Sequence, residues 1–375
     1  MDFAWTRDQE ELQTRTLAFA RSLSVTTSNG FDRARFVACG GFGMLGLSLP
    51  VAHGGMGLSA LDTAGMVEAF SRGCTDMGLA FASCAHLFAC AMPIAEHGSD
   101  ALKQALLPGL ASGALVGANA ISESEAGSDV FALQMTARRA GDDWLLNGVK
   151  SYVTNGPVAD VMLVYASTNP AHRWLGISAF AVDSKSAGLR AGQPFAKVGL
   201  HSAESGAVYF DDVRVPAHRL LGAEGQGAAI FQASMAWERA CLFAAYLGSM
   251  ARDLDKAVAF AQERKQFGKA IGKYQAIAHK IADMKLRLEC ARMMLWRACW
   301  KKDRGLDASV DISLAKLAVS EAAVQSGLDV IHIHGSLGVS AESRVAESLM
   351  DALPATIFSG TSEMQREIVA RGLGL

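Results

Sequence analysis

The chain changes local texture twice, and this double change limits the folds open to it. From about residue 7 to 115, apolar residues recur at helical spacing, as in Leu12, Thr16, Leu17, Phe19, Ala20 and Leu23. Asp62–Ser71 and Met77–His97 continue that pattern. Ser99 or Asp100 is placed to cap a short helix, Ala101–Leu107, which Pro108 and Gly109 would end. From about Leu115 to Gly222 the pattern becomes short β runs: Met135–Arg138, Trp144–Asn147, Val161–Tyr165, Ile177–Val182 and Ala207–Phe210. Gly-Asp, Asn-Gly and Asn-Pro dipeptides punctuate them, and no long helix intervenes. That order predicts an antiparallel barrel or sandwich, not a doubly wound parallel sheet. From about Gly225 the chain is helical again. Ile281, Met284, Leu288, Ala291, Leu295 and Ala298 form one apolar stripe, the mark of a helix of about five turns in a bundle. The expected fold class is α+β, with an N-terminal helical domain (1–115), a central antiparallel β domain (116–224) and a C-terminal helical bundle (225–375).

Composition excludes some function classes. Half of the 375 residues are hydrophobic, so a mostly disordered chain is ruled out. Lys and Arg number 35 against 37 Asp and Glu, which argues against nucleic acid or an acidic membrane as the main partner. Met1–Asp8 has no basic segment leading into an apolar run, so no leader peptide is expected. No charge-free and proline-free run of about 20 apolar residues predicts a membrane span. Seven Cys without a Cys-x-x-Cys pair read as reduced, buried thiols in a cytoplasmic protein. His332-Ile333-His334 is too weak a pair to predict a metal site.

Five segments stand out as motifs. Gly41-Phe42-Gly43-Met44-Leu45-Gly46 has the spacing of a dinucleotide fingerprint, but no strand precedes it and Pro50 follows too soon. It reads as a turn between helices. Ile121–Asp129 combines small residues, hydroxyls and exposed backbone amides, which can approach a phosphate or a flat heterocycle closely. Lys150-Ser151-Tyr152-Val153-Thr154-Asn155-Gly156 ends a strand with an aromatic, a hydroxyl and a turn. Glu263–Lys269 and Ser359–Arg366 are the remaining two. Each alone is equally a solvated turn.

Together, in this order and at these separations, the last four resemble the acyl-CoA dehydrogenase flavoprotein family. Gly46–Gly57 and Leu107–Gly113 are similar to that family too, so the resemblance covers essentially the whole chain. It implies a C-terminal four-helix bundle, FAD as cofactor, and a homotetramer or homodimer in which each FAD reaches a neighbouring subunit. It places Ile121, Ser122 and Ser128 beside the flavin ring, with Tyr152 and Thr154 against its other side. Tyr152 stands where many relatives have Trp. Arg264 and Phe267 match residues that reach the FAD of the adjacent subunit, and Gln275 follows on the same segment. His332, Gly335 and Ser336 match a strip that usually reads Gln…Gly-Gly, so His332 and Ser336 are departures. Thr361 and Glu363 match positions contacting FAD, and Ser128, Arg239 and Gly360 match positions contacting substrate.

The family's reaction removes a proton at Cα of an acyl thioester while hydride leaves Cβ for flavin N5. Most members place the basic carboxylate immediately before the Gly-Thr of the last motif. Here that residue is Ser359, which cannot be the base. A minority branch, similar to isovaleryl-CoA dehydrogenase, carries its glutamate on an earlier helix just before an Arg. This chain reads Met235-Ala236-Trp237-Glu238-Arg239 there, making Glu238 the expected base. Ala236–Ala244 resembles relatives that act on acyl or prolyl groups attached to carrier proteins, and Ser124-Glu125 replaces the usual Pro-Gly where a pantetheine arm would pass. The expected substrate is therefore an acyl thioester on a carrier protein or on CoA, with an electron-transferring flavoprotein or O2 as acceptor. A flavin oxidase or monooxygenase on the same fold, or a free short- or branched-chain acyl-CoA dehydrogenase, are the alternatives.

Overall fold

The computed structural model describes residues 4–23 and 30–375. Met1–Phe3, where the expectation about a leader begins, lie outside that description. The N-terminal helices follow the caps written in the sequence. Thr6 and Gln9 form a reciprocal capping box that starts Arg7–Ser22. Asp32 caps Arg33–Phe42, and Gly43, with φ 100°, ends it. The Gly41–Gly46 motif is thus a helix stop. Ser99 accepts the amide of Leu102 and starts Asp100–Ser112. This helix differs from expectation, because it runs through Pro108 and Gly109 to Gly113 (φ 76°). Proline removes one donor and frees the carbonyl four residues back. That residue, Gln104, is exposed, so water can take the bond.

Met77–His97 is one helical run of 21 residues, long and apolar enough to cross a membrane by length and composition. It is instead the central core helix, with 94% of its most apolar window buried inside the protein. Of the seven cysteines, six are buried, Cys290 is exposed, and all are free thiols.

The middle of the chain forms eight strands: β1 (Gly117–Ala120), β2 (Thr136–Ala140), β3 (Asp143–Thr154), β4 (Val161–Ser167), β5 (Ile177–Asp183), β6 (Leu189–Ala191), β7 (Ser205–Val215) and β8 (Leu220–Leu221). They make one sheet in the order β6-β7-β3-β2-β4-β5-β8, with β1 also on β4. Most pairings are antiparallel, but β4 pairs parallel with β1 and with β2, so the sheet is mixed. β4 is apolar on both faces. Met162, Val164 and Ala166 join a sheet-side core with Trp144, Leu146, Phe180 and Phe210. Val161, Leu163 and Tyr165 face the helical core instead. A strand buried on both sides is what seats the sheet on the helices.

The C-terminal part contains Gly227–Trp237 leading into Ala244–Glu263, then Gln275–Asp303, Ser309–His334 and Ser362–Gly372. Gln275–Asp303 has 29 residues and is longer than the apolar stripe implied. Its extra turns are held by charge: Lys280 pairs with Asp329 at 2.9 Å and Lys301 with Asp311 at 2.5 Å, both on the next helix. Asp303 reaches back to accept the amides of Ala60 and Leu61 at 2.6 and 2.9 Å, tying the bundle to the N-terminal helices. Ala60–Gly73 and Ala244–Glu263 approach so closely that a Cβ at Gly248 would lie 2.3 Å from the carbonyl oxygen of Glu68.

Asp351 links the bundle to the β domain by accepting the Leu200 amide at 2.6 Å. Burial, reinforced by Asp76 and Glu347, pushes its carboxyl up to about 7, although the Leu200 bond pulls the other way. A raised folded-state pKa favours the protonated fold, so that contribution is lost as pH rises through about 7. Asp351→Asn mimics the neutral form. Its unfolding midpoint should gain on the parent's between about pH 4 and about pH 7 and level off above that. A pH-independent difference in urea titrations would refute this.

Candidate active site

The site is built from the break between two helices. Gly227–Trp237 passes into a π-helical turn, Glu238–Leu242, before Ala244–Glu263 resumes. A π turn adds a residue to the helix and shifts the side chains that follow it, which is why such turns gather at functional positions. Glu238 opens this one and is buried. Met77–His97 has its own π turn, Leu87–Ala91, packed against the first.

Glu238 is met from the C-terminal loop. The Ser359 hydroxyl donates to its carboxylate. Arg239 Nε donates to the Ser359 carbonyl at 2.7 Å. The buried Gln365 side chain holds the same loop, donating to Gly360 O at 3.0 Å and to Ser359 O at 3.3 Å. Ser359 and Gly360 both have positive φ, 55° and 88°. A Cβ at Gly360 would sit 2.8 Å from Gln365 Nε2 and 3.2 Å from an Arg239 nitrogen, so only glycine fits. Burial raises the Glu238 pKa, while the Ser359 hydroxyl and Arg239 restrain the rise. Trp237, the preceding residue, is anchored by a 2.6 Å bond to Glu96 and by Lys302, 4.2 Å from its ring centre.

A second group forms where β3 ends. Ser151 N donates to Ser122 O at 2.9 Å, joining the Ile121–Asp129 loop to the strand. The β3–β7 register shifts between Lys150 and Val153, and Tyr152 takes φ 57°. This bulge turns Tyr152 outward, where it is 70% exposed. Ser122 and Thr154 are half-buried, Ile121 is buried, and Ser128 is exposed. Phe267 is 94% exposed at φ 48°, on a hairpin turn between Arg264 and Gln275, which are both exposed. His332, Gly335 and Ser336 are exposed at the end of Ser309–His334. Thr361 caps Ser362–Gly372, and Glu363 lies in its first turn. The chain thus brings Glu238, Arg239 and Gly360 together, and separately joins Ile121 and Ser122 to the end of β3. Arg264, Phe267, Gln275, His332, Gly335 and Ser336 stand on the surface of the bundle, away from Glu238.

These groups fit a large flat cofactor with a charged tail. Tyr152 and Phe267 are largely exposed aromatic rings, touching Phe195 at 5.4 Å and Tyr274 at 6.4 Å between centroids, and can stack on a flat ring. A Cβ at Gly127 would meet nothing within 4 Å, so the loop leaves open space beside Ser128. Hydroxyls at 122, 128 and 154 and the Arg264 guanidinium supply donors for a heterocycle edge and a pyrophosphate.

Three residues matter more in the structure than the sequence reading allowed. Ser359, read as a base position left empty, is the partner of Glu238. Lys150 and Glu123 are a buried ion pair at 2.8 Å under the loop. Strand alternation carried a signal for Lys150: it shares the inward parity of Trp144 and Leu146.

Models of the N-terminal, middle and C-terminal domains of acyl-CoA dehydrogenase match residues 6–114, 118–213 and 225–374. The chain belongs to the acyl-CoA dehydrogenase family, FAD-dependent oxidoreductases that dehydrogenate acyl thioesters. An L-prolyl-(peptidyl-carrier protein) dehydrogenase of Pseudomonas fluorescens is 50% identical over 349 residues, 93% of this chain and 92% of that protein. A solved structure described as PigA with FAD and proline superimposes with TM-score 0.98 at 41% identity, covering 100% of both chains. The prolyl acyl carrier protein oxidase AnaB gives TM-score 0.96 at 38% identity, covering 99% of this chain and 100% of that one.

The Ser359 bond stabilises the ionised form of Glu238. Ser359→Ala removes that donor, so the carboxyl should titrate at higher pH than in the parent. Infrared difference titration, with the band assigned by its loss in Glu238→Gln, measures the shift. An unchanged or lower titration point would contradict the geometry.

Proposed function

We propose that the chain desaturates a prolyl or small acyl group delivered as a thioester on a carrier protein, with Glu238 as the base. The observation that carries the role of Glu238 is its burial beneath Ser359, in place of the usual carboxylate at that position. A carboxylate with a raised pKa is a stronger base, closer to the needs of Cα proton removal. Arg239 and the Ser359 loop hold it in one orientation. Gly360 lies next to this carboxylate, and the resemblance puts a backbone amide of this loop on the thioester carbonyl. Such a donor would acidify the Cα proton. When bound, FAD supplies the acceptor for hydride from Cβ.

The resemblance assigns Ile121, Ser122, Ser128, Tyr152 and Thr154 to the flavin ring, and Thr361 and Glu363 to its surroundings. Arg264, Phe267, Gln275, His332, Gly335 and Ser336 would meet the FAD of a neighbouring subunit. Their placement on the bundle surface supports that, and with it a homodimer or homotetramer. Ser128 and Arg239 would contact substrate. The three parts 1–115, 116–224 and 225–375 then act as one flavin-binding unit in the cytoplasm. Carrier-protein delivery is favoured over CoA by the similarity to the Pseudomonas protein. The acceptor is an electron-transferring flavoprotein or O2, and the likeness to AnaB, described as an oxidase, gives the O2 reading its support.

Anaerobic titration with prolyl-carrier protein, prolyl-CoA and butyryl-CoA tests delivery and reaction class together. Bleaching of the flavin absorbance should be fastest with the carrier protein, and equal or faster bleaching by a CoA ester would reverse the assignment. Glu238→Gln should stay yellow and lose bleaching by about a thousandfold or more. A variant that still bleaches at the parent rate rules out Glu238 as base. Hydrogen peroxide formed stoichiometrically with product in air would select O2 as acceptor.

A further inference from the structure

The Lys150–Glu123 pair lies outside the chemistry described above, yet it is the most completely buried ion pair near the loop. The Lys150 side chain is 0% exposed and that of Glu123 8%. Lys150 Nζ donates to the Ile121 carbonyl at 2.9 Å and to Glu123 Oε1 at 2.8 Å. Glu123 also accepts the amides of Gln134 and Met135, at 2.6 and 3.0 Å. Glu123 and Ala126 exchange backbone bonds at 3.1 and 3.2 Å, closing the loop on itself. Burial pushes the Lys150 ammonium down to about 8, against the pull of Glu123.

A buried ion pair is a poor way to add stability, because desolvation offsets much of the attraction and an apolar pair of similar volume often does as well. An apolar pair cannot do one thing that this one does. It cannot bind the carbonyl of Ile121 and the amides of Gln134 and Met135, and so cannot fix where the loop leaves β1 and where it rejoins the sheet. Lys150 also sits at the last regular ladder position before the bulge that displaces Tyr152. The pair therefore sets the loop and the bulge relative to each other.

We propose that Lys150, with Glu123, is a positioning residue for the flavin, clasping the 121–128 and 150–155 segments into one binding surface. This rests on the reading that FAD lies against those segments. The experiment compares the full-length parent with Lys150→Met, Glu123→Gln and the double variant Lys150→Met/Glu123→Leu. Unfolding midpoint, FAD dissociation constant and the near-ultraviolet and visible circular dichroism of bound flavin are measured. The double variant should recover part of the midpoint lost in Lys150→Met, because it removes the unpaired Glu123 charge. It should still bind FAD about tenfold or more weakly, the scale at which supporting hydrogen bonds act on a bound group, with altered flavin dichroism. Glu123→Gln, which keeps the acceptor oxygen, should weaken binding less. A refolded double variant with parental FAD affinity and dichroism overturns the proposal and leaves the pair a purely structural one. If Lys150→Met and the double variant both fail to fold, Glu123→Gln decides, and parental affinity and dichroism there overturn it equally. A parent that binds no FAD at all would instead sink the functional reading beneath it.

Discussion

A carboxylate enclosed by protein must be met by donors or give up its charge. Glu238 is enclosed, and what meets it comes from a segment 121 residues further on. The Ser359 hydroxyl binds the carboxylate, the Ser359 carbonyl binds Arg239, and Gln365 binds the loop from below. Each member depends on the others. Arg239 cannot leave without removing the shorter of the two bonds to the Ser359 carbonyl, and the loop cannot move without stripping Glu238 of its donor. The π turns at Glu238–Leu242 and Leu87–Ala91 fit the same demand, since each shifts its helix register beside the buried charge.

Backbone strain occurs at some of these places, as it does at Arg173, Leu200, Asp212 and Arg344 elsewhere. Tyr152, Phe267 and Ser359 are non-glycine residues with positive φ, and Gly360 follows the last of them. A left-handed conformation in a side-chain-bearing residue costs on the order of 1 kcal/mol or more. It persists only where the surroundings impose it. At Ser359 the imposing contacts are the two bonds to its carbonyl. At Tyr152 it is the bulge in β3, next to a lysine clamped at both ends of its reach. The strain turns side chains or backbone toward the two groups that the family resemblance assigns to cofactor and substrate.

Much of this was legible beforehand. The helical, β and helical textures were present as periodicities of about 3.6 and 2, and the cap at Ser99 is local chemistry. Ser359 cannot act as a base, and the resemblance to the branch that carries its glutamate on an earlier helix pointed to Glu238 instead. Pro108 misled because its effect depends on whether the freed carbonyl can reach water. The length of Gln275–Asp303 was understated because its end turns are held by ions on another helix, and an apolar stripe carries no trace of those. The parallel pairing of β4 was equally hidden, as it joins strands separated along the chain.

The sequence by itself determined the class of elements and their order, because each follows from residue type and short-range spacing; Glu238 as the expected base came from the family resemblance. Tertiary structure alone decided that Ser359 is the partner of Glu238 and not a lost function, and that Lys150 lies buried against Glu123 instead of reaching solvent. Those are contacts between residues 121 and 27 positions apart. Their energies depend on how much water the surrounding packing removes, and no local pattern encodes that.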